Sequence, residues 1–418
     1  MDLDVVIFGG GTAGLWLLDE LHYRGDRVLL LEANALGSGQ TIASQGILHG
    51  GLKYTLQGLL TESATAIREM PALWRDALAG QRGPDLTDVR VRSQFCHLWR
   101  TRSLSSRLGM IGAKLGLRVA PTNLTDDERP PLLQNCPGTV ARLDEQIIAP
   151  QSFVQTLADA HRERILKIDA ERGLHFECTS DATVQSMQLT DPRSRRTLVL
   201  RPRTVVFAAG AGNAALRRAV GLKTDIMQRR PLHIVLVRGD ARELPPFNGH
   251  CVDGAQTRVT ITADGDQAGR TIWQLGGRIA EAGVEHTAPA LIAHAQQELE
   301  AVLPGVDFSS TEWSTYRVDR AEMQTAHGKR PESVQIVREG NCITAWPTKL
   351  VLAPQLARQI LADLPLPAPI DSRPIVRPNP WPDPVVALPP WETATTWSRP
   401  DLALLDFPTI RGRGLRAG

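Results

Sequence analysis

The chain has 418 residues, too long for one hydrophobic core and long enough for two domains. Apolar residues supply 42% and charged residues 22%, which predicts a globular fold; the formal net charge of +2 argues against nucleic acid as the main partner. No apolar run approaches the roughly 20 residues that span a bilayer.

The first apolar run, DVVIF at 4–8, suits a buried parallel strand. It begins so early that no signal peptide is expected before it, and a cytoplasmic location follows. Next comes Gly9-Gly10-Gly11-Thr12-Ala13-Gly14, which fits GxGxxG. Gly9 allows a tight turn, Gly11 lets a pyrophosphate approach the backbone, and Gly14 lets a helix pack on the strand. That helix is predicted from Leu15 to Arg24, with Leu15, Leu18 and Leu21 on one face and Gly25 as its C-cap. A second strand at 27–31 ends in Glu32, whose carboxylate can accept from ribose hydroxyls. Ala33 follows it. Thr12 and Ala13 open the helix, whose free N–H groups and dipole favour an anion. A glycine motif alone is weak. The order strand, glycines, helix, strand and acid identifies a dinucleotide-binding unit.

Residues 37–54, GSGQTIASQGILHGGLKY, form a long small-residue loop. Here the chain resembles the D-amino-acid oxidase superfamily of flavoproteins. The nearest likeness is the branch with FAD-dependent glycerol-3-phosphate dehydrogenase and L-2-hydroxyglutarate dehydrogenase. The resemblance implies FAD as cofactor, with this loop running along the pyrophosphate and under the flavin ring. Thr41, Ser44, Gln45, Gly46 and Leu48 are its expected contacts. TVVFAAGAG at 204–212 resembles the family's second FAD-contacting strand, through Ala209 and Gly210. GNCITAWPTKLVLAP at 340–354 resembles the segment that reaches the ring, through Thr348, Lys349 and Leu350. Residues 210–215 also fit GxGxxA, a rival NAD site, but no strand ending in an acid follows at the right distance.

The expected architecture is α/β: a Rossmann-like FAD-binding domain with an interleaved α+β substrate domain on a mostly antiparallel sheet. The FAD domain is expected to take 1–80, 141–225 and 335–365, and the substrate domain 85–140 and 226–334. Within the latter, 231–239, 258–262 and 270–277 have strand character. LIAHAQQELEAVL at 291–303 reads as an amphipathic helix stopped by Pro304-Gly305. Residues 98–118 carry Arg100, Arg102, Arg107, Lys114 and Arg118 among apolar residues. They suit a solvated basic helix face or, alternatively, peripheral contact with an acidic inner-membrane surface. The 366–418 tail is rich in proline and cannot form regular helix. The five cysteines are scattered and odd in number, which suggests reduced thiols. No metal is expected.

A flavin dehydrogenase needs a C–H bond facing flavin N5, a base for the adjacent O–H or N–H, and a cation near N1. The resemblance nominates residues for these tasks. Lys53 and Tyr54 stand where HGGLRY-type enzymes place arginine and tyrosine near the substrate. Lysine offers a point charge where arginine grips bidentately, which puts glycerol 3-phosphate itself in doubt. His233, with His49 as alternative, is the expected proton acceptor. Arg317 is expected to receive the substrate's anionic group, and Lys349 to stabilise the reduced flavin. The expected reaction takes a hydride from a small anionic hydroxy or amino compound. Electrons then leave to a quinone, a carrier protein or oxygen. An FAD-binding scaffold without turnover and a flavin monooxygenase are the rival functions.

Overall fold

The computed structural model describes residues 1–50, 62–101, 121–253, 256–331, 333–367 and 381–399. Two eight-stranded sheets carry the fold.

The first sheet runs Gln335–Glu339, Cys342–Trp346, Thr197–Phe207, Asp2–Phe8, Val28–Glu32 and Ile165–Lys167. Its neighbours are parallel except for the hairpin that adds Gln335–Glu339 at the edge. Val184–Thr190 and Leu174–Cys178 extend antiparallel from the early part of Thr197–Phe207. Strands buried on both faces explain the unbroken apolar runs. Successive side chains of the opening strand serve different cores. Val5 and Ile7 pack with the helices, whereas Val6 and Phe8 pack with Phe207, Leu189 and Trp381. The helix after the glycine turn begins at Thr12, earlier than predicted, and closes on Gly25 in the left-handed conformation. It packs against Ala353–Asp363.

The second sheet runs Glu312–Met323, Met227–Gly239, Thr271–Gly276, Gln256–Gly265, Gly249–Asp253, Cys96–Trp99, Val140–Leu143 and Thr122–Asn123. It is antiparallel except where Gly249–Asp253 meets Cys96–Trp99. One face is covered by helix Ala288–Val302, whose Leu291, Ala295, Leu299 and Val302 pack on Val235, Val237, Trp273 and Trp313. The other face turns toward the 37–50 loop.

Two expectations change, the return at 141 and the tail, and the rejection of a second dinucleotide unit holds. Val140–Leu143 pairs in the second sheet, so the chain returns to the first only after that strand, not at 141. The strand after the 210–215 glycines, Met227–Gly239, joins the second sheet, so no second dinucleotide unit exists there. The described part of the tail packs against the fold and, contrary to expectation, holds one short helix, Pro390–Thr393, which the prolines tolerate because they sit at its start. Trp381 is buried and its indole donates to Lys167 O at 2.8 Å. Ala387 N donates to Leu36 O at 2.9 Å, Trp391 packs on Leu236 and Ile272, and the Arg238 guanidinium stacks 3.9 Å above the Trp397 ring. Proline removes donors from such a segment, so indoles and a few backbone pairs anchor it. Most of the basic 98–118 stretch lies outside the described residues, and its described beginning is a strand.

Two outcomes follow from this packing. Trp381→Ala costs about 3–5 kcal/mol, read as a lower urea midpoint; a loss below about 1 kcal/mol is incompatible with a buried indole. All five cysteines are free thiols, and Cys178 alone is exposed. Burial pushes the Cys251 and Cys342 thiols up to about 12. A thiol reagent added to the native protein at mildly alkaline pH is therefore expected to label one cysteine fast and the rest only on unfolding.

Candidate active site between the sheets

The glycine turn forms a cradle. A Cβ on Gly14 would meet Gly9 O at 1.9 Å, so the helix lies as close to the turn as backbone allows. A Cβ on Gly11 would meet only Thr41 Oγ1, at 3.0 Å, so this side is open to a ligand. The first helical turn has no side-chain cap on Gly11, and Thr12 N donates to Thr41 Oγ1 at 3.1 Å. Glu32 is 8% exposed, and its carboxylate accepts from Gly10 N and Asn34 N, each at 2.6 Å. That fixes a carboxylate beside the turn, as a ribose partner requires. Ala33 packs partly buried behind it.

From there the 37–50 loop crosses to the second sheet. Gln45 Nε2 donates to Thr262 Oγ1 at 3.2 Å and to Gln274 O at 3.0 Å. Ala43 O accepts from Gln274 Nε2 at 2.8 Å and Tyr316 OH at 3.0 Å. Gly46 O accepts from Ile148 N, and Leu48 is fully buried in the first core. Ser44 Oγ is buried with no partner from the chain. On the first sheet's side, Ala209 N is held by Asn213 Oδ1 at 2.8 Å, and Gly210 sits at φ +55°. Thr348 holds φ +59°, a strained position for a β-branched residue, immediately before Lys349 and Leu350.

Tyr316 and Gln274 define which face of the second sheet looks at the loop. Alternation then assigns the rest. The register pairs Ile234 with Tyr316 and His233 with Arg317. His233 and Arg317 therefore point to the far, helix-covered side. His233 Nδ1 lies 3.0 Å from Gly283 O and its Nε2 3.0 Å from Thr315 Oγ1. Arg317 donates to Val284 O at 3.1 Å and His286 O at 3.0 Å. The structure parts both from the loop, contrary to the expected substrate contacts. Lys53 and Tyr54 lie outside the described residues.

Other residues gather where His49 ends the described loop. Leu48 N donates to Gln146 O, and Ile47 bridges to Ile147, which sets Glu145 beside His49. His49 Nδ1 is 3.4 Å from Glu145 Oε2, and His250 Nε2 is 3.8 Å from the same oxygen. Glu145 Oε1 accepts from Gly50 N at 2.7 Å, and His250 Nδ1 lies 2.9 Å from Thr260 Oγ1. Burial pushes the Glu145 carboxyl up, but the two imidazoles outweigh it and hold it well below the usual carboxylate range. The His49 imidazole keeps 43% of its side-chain surface, yet the surrounding protein desolvates it and lowers its pKa. Glu145 only partly opposes that shift, while the His250 and Lys349 charges add to it. Sequence reasoning named His49 and Lys349 but missed Glu145, His250, Gln274 and Tyr316. The tyrosine adjoins Arg317, so a one-residue change of face would have found it.

Residues 4–342 match the DAO family model, described as FAD dependent oxidoreductase. A probable FAD-dependent oxidoreductase of Pseudomonas aeruginosa is 36% identical over 398 residues, 94% of this chain and 98% of that protein. Its crystal structure superposes with a TM-score of 0.77 at 33% identity, over 94% of this chain and 98% of that one. Glycerol-3-phosphate dehydrogenase 1 of Mycobacterium tuberculosis is 27% identical over 232 residues, 50% of this chain and 42% of that protein. An FAD-bound L-α-glycerophosphate oxidase from Mycoplasma pneumoniae shares the fold at 14% identity, TM-score 0.61, covering 93% of this chain and 99% of the other.

The cofactor is FAD, and the residues fit it: an open Gly11, a fixed Glu32 carboxylate and a buried, unsatisfied Ser44 hydroxyl line one path. Gly11→Ala is expected to keep the fold while lowering flavin retention, because the added methyl occupies the pyrophosphate's approach. Gly14→Ala is expected to lower the thermal midpoint as well; equal flavin content in both variants and wild type would place FAD elsewhere. With its parallel sheet, glycine cradle and 36% identical full-length relative in agreement, the chain belongs to the DAO family of FAD-dependent oxidoreductases.

Proposed function

We propose that this oxidoreductase oxidises a small anionic hydroxy compound of the glycerol-3-phosphate type at the His49–Glu145–His250 cluster. One observation carries the reading: a buried carboxylate lies between two imidazoles at the end of the flavin loop. The half-length likeness to glycerol-3-phosphate dehydrogenase supports the substrate class.

When bound, FAD supplies the hydride acceptor. The chain's own groups handle the remaining charge. A lowered pKa leaves the His49 imidazole neutral near pH 7, with a lone pair for the substrate's O–H proton. Glu145 stays ionised beside it and stabilises the imidazolium that forms. Lys349 adds positive charge close to His49, which disfavours holding that proton long and draws in an anion. Tyr316 and Gln274, buried against Ala43 O, keep the loop's shape rather than donate protons; burial pushes the Tyr316 hydroxyl's pKa above its usual value. A quinone, a carrier protein or oxygen takes the electrons onward.

Anaerobic mixing with hydroxy acids, amino acids and polyol phosphates, followed by the flavin's visible absorbance, tests this. A hydroxy compound is expected to bleach it, and Glu145→Gln to slow bleaching by about 10²-fold at unchanged flavin content. Arg317→Ala is expected to leave the rate within about twofold, since its side chain points to the far face. Bleaching by amines alone, or a full-speed Glu145→Gln, defeats the proposal.

A further inference from the structure

The cluster carries an unmet requirement. Glu145 and His250 are each 5% exposed, and apart from the ion pairs of Glu145 Oε2 with His49 at 3.4 Å and with His250 Nε2 at 3.8 Å, Glu145 Oε2 and His250 Nε2 meet no hydrogen-bond partner in the chain. Buried polar atoms left so are costly and need an occupant. His49 Nδ1 completes the set, and the three atoms lie within 4.8 Å of one another, the one such group of histidine, cysteine and acidic side chains among the described residues.

The spacing matches a particular kind of occupant. Donors about 2.1 Å from a tetrahedral cation lie about 3.4 Å apart. The observed 3.4 Å and 3.8 Å to Glu145 Oε2 come close to that before any cation contracts them. Orientation agrees as well. Thr260 Oγ1 lies 2.9 Å from His250 Nδ1, and in the tautomer where Nδ1 donates to that oxygen the Nε2 lone pair faces the cluster. The Gly50 N–H at 2.7 Å takes Glu145 Oε1, which leaves Oε2 for the centre. Such outer partners set the tautomer and rotamer of metal ligands. His49 is the most exposed of the three, so a coordination position stays open on its side.

We propose that His49 Nδ1, Glu145 Oε2 and His250 Nε2 form a binding site for a divalent cation of the zinc type. This rests on the substrate class proposed above and deepens it: a bound cation would supply Lewis-acid polarisation of the substrate's hydroxyl at the open position, and His49, then held through Nδ1 as a ligand, would position the cation in place of its role as proton acceptor in the cation-free protein. Glu145 supplies the negative charge that offsets the cation and the nearby Lys349.

The test uses the flavin-loaded protein, stripped with a chelator and dialysed against Zn2+. One equivalent per chain is expected, with affinity at least about tenfold weaker in Glu145→Gln and in His250→Ala. Flavin content and thermal midpoint show whether each variant is folded. Co2+ added to the wild type reads the site without any variant: intensified visible bands, abolished by Zn2+, are expected from a nitrogen and oxygen set of low coordination number. No saturable Zn2+ binding, equal binding in both folded variants, or the weak spectrum of hydrated Co2+ overturns the site. Bleaching by the substrate panel is scored on the same preparations, so failure of the hydroxyl-oxidation reading is seen apart from failure of the metal site.

Discussion

The docking of a small-residue loop between two sheets governs this molecule. Backbone atoms of the loop, rather than its side chains, make most of the joint. Ala43 O, Gln45 O and Gly46 O each accept from groups across the interface, and Gly46 has no room for a side chain because Ile148 O lies where a Cβ would stand. Arg92 is the charged one of those donors. It reaches Gln45 O and Ile148 O while pairing with Asp264 at 3.1 Å. Burial lowers the Arg92 guanidinium to about 10, against the pull of Asp264, and still leaves it charged at neutral pH. A buried pair survives only when extra hydrogen bonds use its remaining donors, as Gln45 O of the loop and Ile148 O of the neighbouring strand do.

That docking also sets the chemistry. The loop's last described turns pair with the segment at 145–148, and this pairing brings a carboxylate to His49. The second sheet contributes His250 from a strand whose neighbours run parallel on one side and antiparallel on the other. Each of the three groups comes from a distant stretch of chain, yet two backbone or hydroxyl contacts aim them at one point. Preorganisation of this kind is what a reacting site needs. The tail adds a belt over both sheets, with Trp381 packed beside Phe8 and Phe207 on the first and Trp391 on the second.

The two sheets differ in how plainly their sequences announce them. Parallel strands covered on both faces appear as unbroken apolar runs, and the glycine turn between the first two has a strict spacing. Strands of the second sheet were visible at 231–239 and 270–277, but each alternates between a flavin-side and a helix-side face. A shift of one residue exchanges the two. The choice between Arg317 and Tyr316 was of that kind, and resemblance along the chain placed the function one residue from the side chain that faces the loop.

The sequence by itself determined the dinucleotide unit, because that depends on local periodicity and on contacts within some thirty residues, while FAD as its ligand was legible only through the resemblance at 37–54, 204–212 and 340–354. Tertiary structure alone decided which face of each second-sheet strand meets the flavin loop, where the chain crosses back after Val140–Leu143, and that Glu145 and His250 join His49. Those outcomes depend on strand register and on pairings between segments far apart in the chain. No local propensity encodes them; the packing of two half-buried sheets does.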